Sequence, residues 1–541
     1  MASITTENLR TEFVTTVMSK SAITNCKPAF ASPSRSRILV DLSTSWRHRS
    51  SPPVGIIRCE HEIARHFLSE SPENVIFGYF SDETQGYSQI PQDAVIEMIT
   101  SSASAGSSST SNRDAPNEQH LVHDSSSGKS YTKTFVAGLL FANYMVGRLF
   151  GFNNWRLKGA TRAKQYVADH HDEIDFETLG RLAKLWASGP TVDLRAPLRG
   201  LRMTLVHSAP PPGSLPVQMD TIGAILLPGV FWEGSKAKWL WKVKSQRNIH
   251  ISLLLFDLIP IVVRQFSESG AAQNFAACLH YLLWACDHFF CISDSTAYDL
   301  RQYVDACGYP PILDSKAQVC RLGPARFVHE TTPDLVEYSR ILGSEEINPG
   351  EFVLFVSTIE SRKNHDFAYH LWRRLALKHG AKLFPLVFAG KQGWDTESLM
   401  RKISQDPAIA GRHIVHFDNV NDDQLRWLYA NCAFTIFPSH YEGFGMTVAE
   451  SLAFGKPCIA SKGSSVEEAG QGLADHIDTL DGIRWIETIE NYMFDKNALA
   501  IKSDRIRNEY KPYTWDEFTT PIVRHMLQTA DFKPSSESNI R

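Results

Sequence analysis

FTIFPSHYEGFGMTVAESLAFGKPCIAS, residues 434–461, decides the fold of this chain. It opens on the apolar and β-branched run FTIF (434–437) and closes on PCIAS (457–461). Runs of this kind suit strands that are covered on both faces. Between them GMTVAESLAF has helical spacing, and Gly455 followed by Pro457 ends the helix in the usual way. Strand, helix and strand in this order make one unit of a parallel sheet. The same alternation continues upstream. FVLFVS (352–357), PLVFAG (385–390) and HIVHF (413–417) read as buried strands, with DFAYHLWRRLALKH, TESLMRKI and DDQLRWLYAN as the helices between them. The pattern predicts an α/β, doubly wound parallel sheet. Such sheets bind ligands beyond the carboxyl ends of their strands.

Chemistry is therefore expected just after FTIF. Gly443 and Gly445 stand at the strand-to-helix turn, where a ligand can approach the backbone closely. The exposed amides of Gly443, Phe444, Gly445, Met446 and Thr447 form an anion site suited to a diphosphate. Glu442 lies before the helix and Glu450 two turns inside it. Glu450 suits the vicinal hydroxyls of a ribose, and Glu442 can reach a group attached beyond the phosphates. From the two glutamates alone, a glycine-containing turn with two surface glutamates is the favoured reading. The dinucleotide fingerprint G-x-G-x-x-G fits less well, because Val448 replaces its third glycine and the turn follows a late strand.

At these residues the chain resembles glycosyltransferase family 4. HYEGFGMTVAESLAFGKPCIAS is similar to that family's E-x7-E donor motif, with Glu442 and Glu450 as the pair. VSTIESRKN (356–364) resembles its first C-domain loop, which implies that Arg362 and Lys363 bind the donor diphosphate. Ser357-Thr358 stands where the family often has Gly-Arg, so Thr358 takes that strand-end position. AGKQG (389–393) is similar to the turn after the next strand and brings in Gly390 and Lys391. The resemblance implies a GT-B fold, two facing Rossmann-like domains with a cleft between them. It also implies transfer of a hexose from a nucleotide-diphosphate sugar to a glycan or lipid-linked glycan, with retained anomeric configuration. The loop looks most like those of mannosyl- and rhamnosyltransferases of polysaccharide assembly, so GDP-mannose is the first donor expected. An Arg, a Lys and a helix N-terminus suit the charge that grows on a leaving diphosphate. No metal or other cofactor is then expected, and the sequence contains no His-Glu-x-x-His and no Asp-x-Asp near a strand end. Read without the resemblance, Arg362-Lys363 is a solvated charge pair on a loop.

The N-terminal half is expected to be the acceptor domain. RILVDLSTSW (37–46) reads as a strand and its exit, and Ile56, Cys59, Ile63 and Phe67 recur at helical spacing after it. Gly55 and Arg58 resemble the family's glycine-containing loop at the interdomain cleft; packing accounts for Gly55 equally well. TLVHS (204–208), GAILLPG (223–229), ISLLLFDLIP (251–260) and HFFCIS (288–293) are further strand candidates. FDLIP is similar to a His-Asp-hydrophobic-x-Pro signature, with Asp257 matching the acid and Phe256 replacing the histidine. Asp257 also reads as an ordinary capping residue.

Around these motifs lie a flexible tail (1–35), the N-terminal domain (36–340), the donor domain (341–512) and a crossover helix with a tail (513–541). A low-complexity stretch (101–128) and an insertion (129–200) interrupt the N-terminal domain. Within the insertion, 135–159 is apolar and aromatic with Arg148, Arg156 and Lys158 at one end, which suits either a membrane interface or a packed helix. Arg148 and Asn143 argue against a spanning helix. The 541 residues exceed what one core holds. A net charge of -4 gives no reason to expect nucleic acid as a partner. Nine cysteines without a Cys-x-x-Cys pair read as thiols in a reducing, cytoplasmic setting, peripheral to a membrane if 135–159 docks there. Two other classes compete: a sugar-nucleotide epimerase or phosphorylase of the same fold, and an inactive binding protein that kept it.

Overall fold

Arg37–Asp41 forms strand β1, and Ile38, Leu39 and Val40 are fully buried because both faces of the strand are covered. In the computed structural model the described residues are 37–49, 55–104, 213–267, 270–312, 314–324, 347–393, 396–418 and 420–530. The N-terminal sheet continues with β2 (Val75–Ser81), β3 (Gly86–Ile90), β4 (Ile222–Leu227), β5 (His250–Leu255), β6 (His288–Cys291) and β7 (Ala317–Val319). Its strand order is β3-β2-β1-β4-β5-β6-β7. Neighbours run parallel except β2 and β3, which form an antiparallel hairpin at the edge with Phe77 opposite Ile90. That hairpin is an addition to the strands read from the sequence. The candidate strand 204–208, the stretch 135–159 and most of the low-complexity region lie outside the described residues.

The second sheet contains β8 (Val353–Val356), β9 (Leu386–Ala389), β10 (Ile414–Phe417), β11 (Phe434–Phe437), β12 (Cys458–Ser461) and β13 (Asp475–Ile477). Its order is β10-β9-β8-β11-β12-β13, and every pair is parallel. The expected strands thus appear within one or two residues of their predicted limits, and β13 joins them at the edge. Helices His365–His379, Glu397–Gln405, Asp422–Asn431 and Met446–Ala453 connect them. The helix Asp422–Asn431 starts in a full capping box, with Asn421 and Gln424 each bonding the other's backbone amide.

Helix Trp515–Ala530 leaves the second domain and packs on the first. Its buried face, Phe518, Ile522, Val523 and Met526, lies against helix Ile56–Glu70 and the ends of β1 and β4. Trp515 Nε1 donates to the Pro324 carbonyl at 2.9 Å, so the two chain segments that cross between domains touch there. The eight described cysteines are free thiols, most of them buried.

Candidate active site

Three loops meet at the carboxyl end of the second sheet: 357–364 after β8, 390–393 after β9 and 438–445 after β11. The first two are laced by backbone bonds, Ile359 N to Lys391 O and Gly393 N to Ile359 O, both 2.8 Å. Gly390 has φ +149°, and a Cβ there would stand 2.2 Å from the Ser357 carbonyl oxygen, so no larger residue fits. Thr358 and Lys391 are exposed on this platform. Thr447, in the first turn of the helix after β11, donates its hydroxyl to the Val356 carbonyl at 3.0 Å.

The first and third loops are joined more tightly. His440 N donates to the Arg362 carbonyl (2.9 Å), and Asn364 Nδ2 to the Pro438 carbonyl (3.2 Å). Arg362 donates to the Tyr441 carbonyl at 2.5 Å and pairs with Glu360 at 2.7 Å. Glu442, buried, is the focus. Lys363 Nζ lies 2.7 Å from its Oε1, Arg362 Nη1 3.0 Å from its Oε2, and Ser439 Oγ donates to Oε1 at 2.5 Å. Burial alone would raise this carboxyl, but Lys363 and Arg362 outweigh it and hold it down at about 2. Burial lowers the Lys363 ammonium, with Glu442 opposing, while Arg362 is held up by Glu442 and Glu360 against its own burial. The result is a buried carboxylate between two cations. The resemblance implied cations turned toward a diphosphate, and the residues alone read as a solvated pair; here both are largely buried and pair with Glu442.

Glu450 is buried in the second turn of helix Met446–Ala453, and its Oε2 accepts from Tyr429 Oη at 2.9 Å. Gly445, at φ +102°, begins that helix, and Phe444 is buried beside it while Met446 is half-buried. The N-terminal residues fall in two places. Asp257 lies under the third loop: a Cβ on Gly443 would stand 3.1 Å from Asp257 Cβ and 2.5 Å from the Phe256 carbonyl oxygen. Burial pushes the Asp257 carboxyl up, with the Ile259 backbone bond and Arg362 opposing. Gly55 begins helix Ile56–Glu70, and Arg58 on that helix pairs with Asp422 of the second domain at 2.7 Å.

Several residues here were not among the site residues expected from the sequence. Ser439 and Ser465 hold Glu442 by its carboxylate and its carbonyl. Ser293 and Thr296 reach the Gly443 carbonyl of the same loop from 150 and 147 residues away, and Glu468 accepts from the Asp294 and Ser295 amides across the domains. A lone Ser or Glu in an ordinary helix start says nothing of a partner that distant. Among the described residues no group of His, Cys, Asp and Glu could hold a metal ion. Nor, among them, is any helix long and apolar enough to cross a membrane.

The solved structure of Anabaena Alr3699/HepE with UDP and glucose matches 91% of this chain and 99% of its own, with a TM-score of 0.51 at 12% identity. Two facing α/β domains of this kind define the GT-B fold, and this chain has it. Residues 341–471 match the family model of glycosyl transferases group 1, and the three loops lie within the matched stretch. O-antigen chain mannosyltransferase B of Escherichia coli is 26% identical over 174 residues, 32% of this chain and 44% of the relative. Serotype-specific mannosyltransferase WbdA of Escherichia coli is 26% identical over 213 residues, 38% of this chain and 25% of the relative. The chain thus spans less than half the length of these curated relatives.

Proposed function

We propose that this protein is a retaining hexosyltransferase that moves mannose from GDP-mannose to a glycan or lipid-linked glycan without a metal ion. The observation that carries the reading is the convergence of Arg362, Lys363 and the N-terminus of helix Met446–Ala453 around Glu442, with Glu450 two turns further in. A diphosphate bound across the loops would meet two cations and a row of helix amides. Glu450 would take the ribose hydroxyls. Glu442, kept ionised by its two partners, would accept hydrogen bonds from the sugar's hydroxyls.

In the reaction the bond from the sugar's anomeric carbon to the phosphate oxygen breaks and the bond to the acceptor oxygen forms on the same face. The acceptor's proton passes to the departing phosphate. Arg362 and Lys363 oppose the negative charge that grows on that phosphate, the role a divalent cation would otherwise serve. The mannosyltransferases among the relatives support mannose as the first donor to try.

The test is a thermal-shift series with nucleoside diphosphates, followed by release of GDP from GDP-mannose in the presence of glycan acceptors. A ligand at one hundred times its dissociation constant stabilises the fold by about 2.7 kcal/mol. If no nucleoside diphosphate raises the melting temperature, the site is misread. The acceptor side includes a membrane contact through residues 135–159. Wild type should sediment with anionic vesicles and a Leu139→Ser, Leu140→Ser, Phe150→Ser variant should not; equal sedimentation of the two refutes that contact.

A further inference from the structure

The loop that carries Glu442 is held from the other domain as well as from its own. Ser293, fully buried at the end of β6, donates its hydroxyl to the Gly443 carbonyl at 2.7 Å. The same hydroxyl accepts from Thr296 N and so caps helix Asp294–Ala306. Thr296 Oγ1 stands 3.0 Å from the Phe256 carbonyl and 3.3 Å from that of Gly443. Next along the loop, Tyr441 Oη donates to Asp299 Oδ2 at 2.6 Å, and the His440 ring stacks on Phe266 at 4.9 Å.

A second contact involves charge. Glu468, on the short helix Val466–Gly470 of the second domain, places one carboxylate oxygen on Asp294 N and the other on Ser295 N, each at 2.8 Å. These are the first amides of helix Asp294–Ala306, which have no partner within the helix. A carboxylate there also meets the positive end of the helix dipole. Arg321 pairs with Asp294 and lies 3.7 Å from Glu468 Oε2, closing the ring. Besides its own Asp294, this helix start thus receives an anion from the opposite domain, and that added stabilisation is realised only while the domains are together.

We propose that Glu468 and the start of helix Asp294–Ala306 form a latch through which the N-terminal domain positions the Glu442 loop for sugar transfer. This rests on the donor-site reading above. Ser293 and Glu468 are positioning residues, acting through Gly443 and through domain closure. With its carbonyl fixed to Ser293, the Gly443–Phe444 peptide has one orientation, and its N–H, antiparallel to the carbonyl, is turned away from the N-terminal domain. When the latch opens, the loop amides and Glu442 lose that external reference.

The experiment uses Glu468→Gln, which keeps the shape but sets an NH2 group against a backbone N–H, and Tyr441→Phe as an independent second variant. Charge at a helix terminus biases an equilibrium by roughly 2- to 30-fold, so the equilibrium constant between joined and separated domains should fall by a factor in that range. Small-angle scattering of the unliganded full chain should then show a larger radius of gyration than wild type, at a nearly unchanged melting temperature. In turnover, kcat should fall by about tenfold or more while the dissociation constant for GDP stays within about threefold, as expected when a reacting group is misplaced and not removed. Scattering identical to wild type in both variants overturns the latch, whatever the protein catalyses. Expanded scattering with unchanged kcat overturns the positioning role. If wild type binds no nucleoside diphosphate at all, the donor-site reading fails and takes the positioning role with it, while scattering still decides the latch.

Discussion

Replacing Glu450 by alanine isolates the proposed ribose contact from the rest of the site. The side chain is 6% exposed and lies two turns from Glu442, so its loss leaves the Arg362–Lys363–Glu442 cluster in place. A hydrogen bond to a charged acceptor is worth roughly 1.5–3 kcal/mol, and each 1.4 kcal/mol is a factor of ten. Glu450→Ala should therefore weaken the binding of free GDP by roughly 10- to 150-fold. The variant also removes the acceptor 2.9 Å from Tyr429 Oη, which costs stability of its own. Tyr429→Phe separates the two effects: it removes the same internal bond and should bind GDP as wild type does. Isothermal titration of the three proteins, with melting curves to establish folding, gives the comparison. An unchanged GDP affinity in folded Glu450→Ala refutes the ribose assignment. So does an equal loss in Tyr429→Phe, which would trace the effect to packing.

Turnover should survive excess EDTA, because Arg362, Lys363 and the helix N-terminus take the cation's place; complete loss restored by manganese or magnesium contradicts this. Gly443→Ala would set a Cβ 2.5 Å from the Phe256 carbonyl oxygen, so the loop or the domain must withdraw by around an ångström, a misplacement that costs about 10²-fold in rate. Undiminished kcat in that variant would show that the loop tolerates displacement. The Glu442 carboxyl is depressed from 4.5 to about 2. A lowered folded-state value means that its ion pairs stabilise the fold fully above the ordinary carboxylate range and lose that effect as pH falls toward 2. The shift corresponds to roughly 3 kcal/mol. The gap in melting temperature between wild type and Glu442→Gln should accordingly narrow as the buffer is taken from pH 5 downward, and a gap independent of pH refutes the pairing.

The second domain was legible because its strands are short, wholly apolar and separated by helices of clear period. β8 through β12 each stood out as a run of four to six residues such as FTIF or PCIAS. β13 did not, because Asp475 and His476 make two of its three residues polar and edge strands need no apolar run. The hairpin β2–β3 was missed for a different reason. Every residue of VIFGYFS is buried, so the strand shows no alternation, and Gly78 interrupts it where the Leu39 and Tyr87 side chains need the space. At the site, the sequence indicated which residues belong together but not what they do to one another. The ion pairs from Glu442 to Arg362 and Lys363 span about 80 positions, and the bond from Ser293 to Gly443 spans 150. Both are products of topology, which sets the carboxyl ends of strands side by side whatever their separation along the chain.

The return of helix Trp515–Ala530 to the first domain has a consequence for synthesis. Among the described residues the last strand of the N-terminal sheet ends at Val319, yet the helix that covers its β1 and β4 ends emerges about 200 residues later. At ~5–20 residues per second the ribosome needs roughly 10–40 s to bridge that interval. Throughout it, the surface that will receive Phe518, Ile522, Val523 and Met526 stays uncovered on the nascent chain. The second domain can fold during the wait, since its sheet closes within 353–477. The order of events is therefore inverted: the domain translated last is finished first, and its final helix completes the one translated before it. A nascent chain stalled before Trp515 would present a first domain still open on the face that this helix covers.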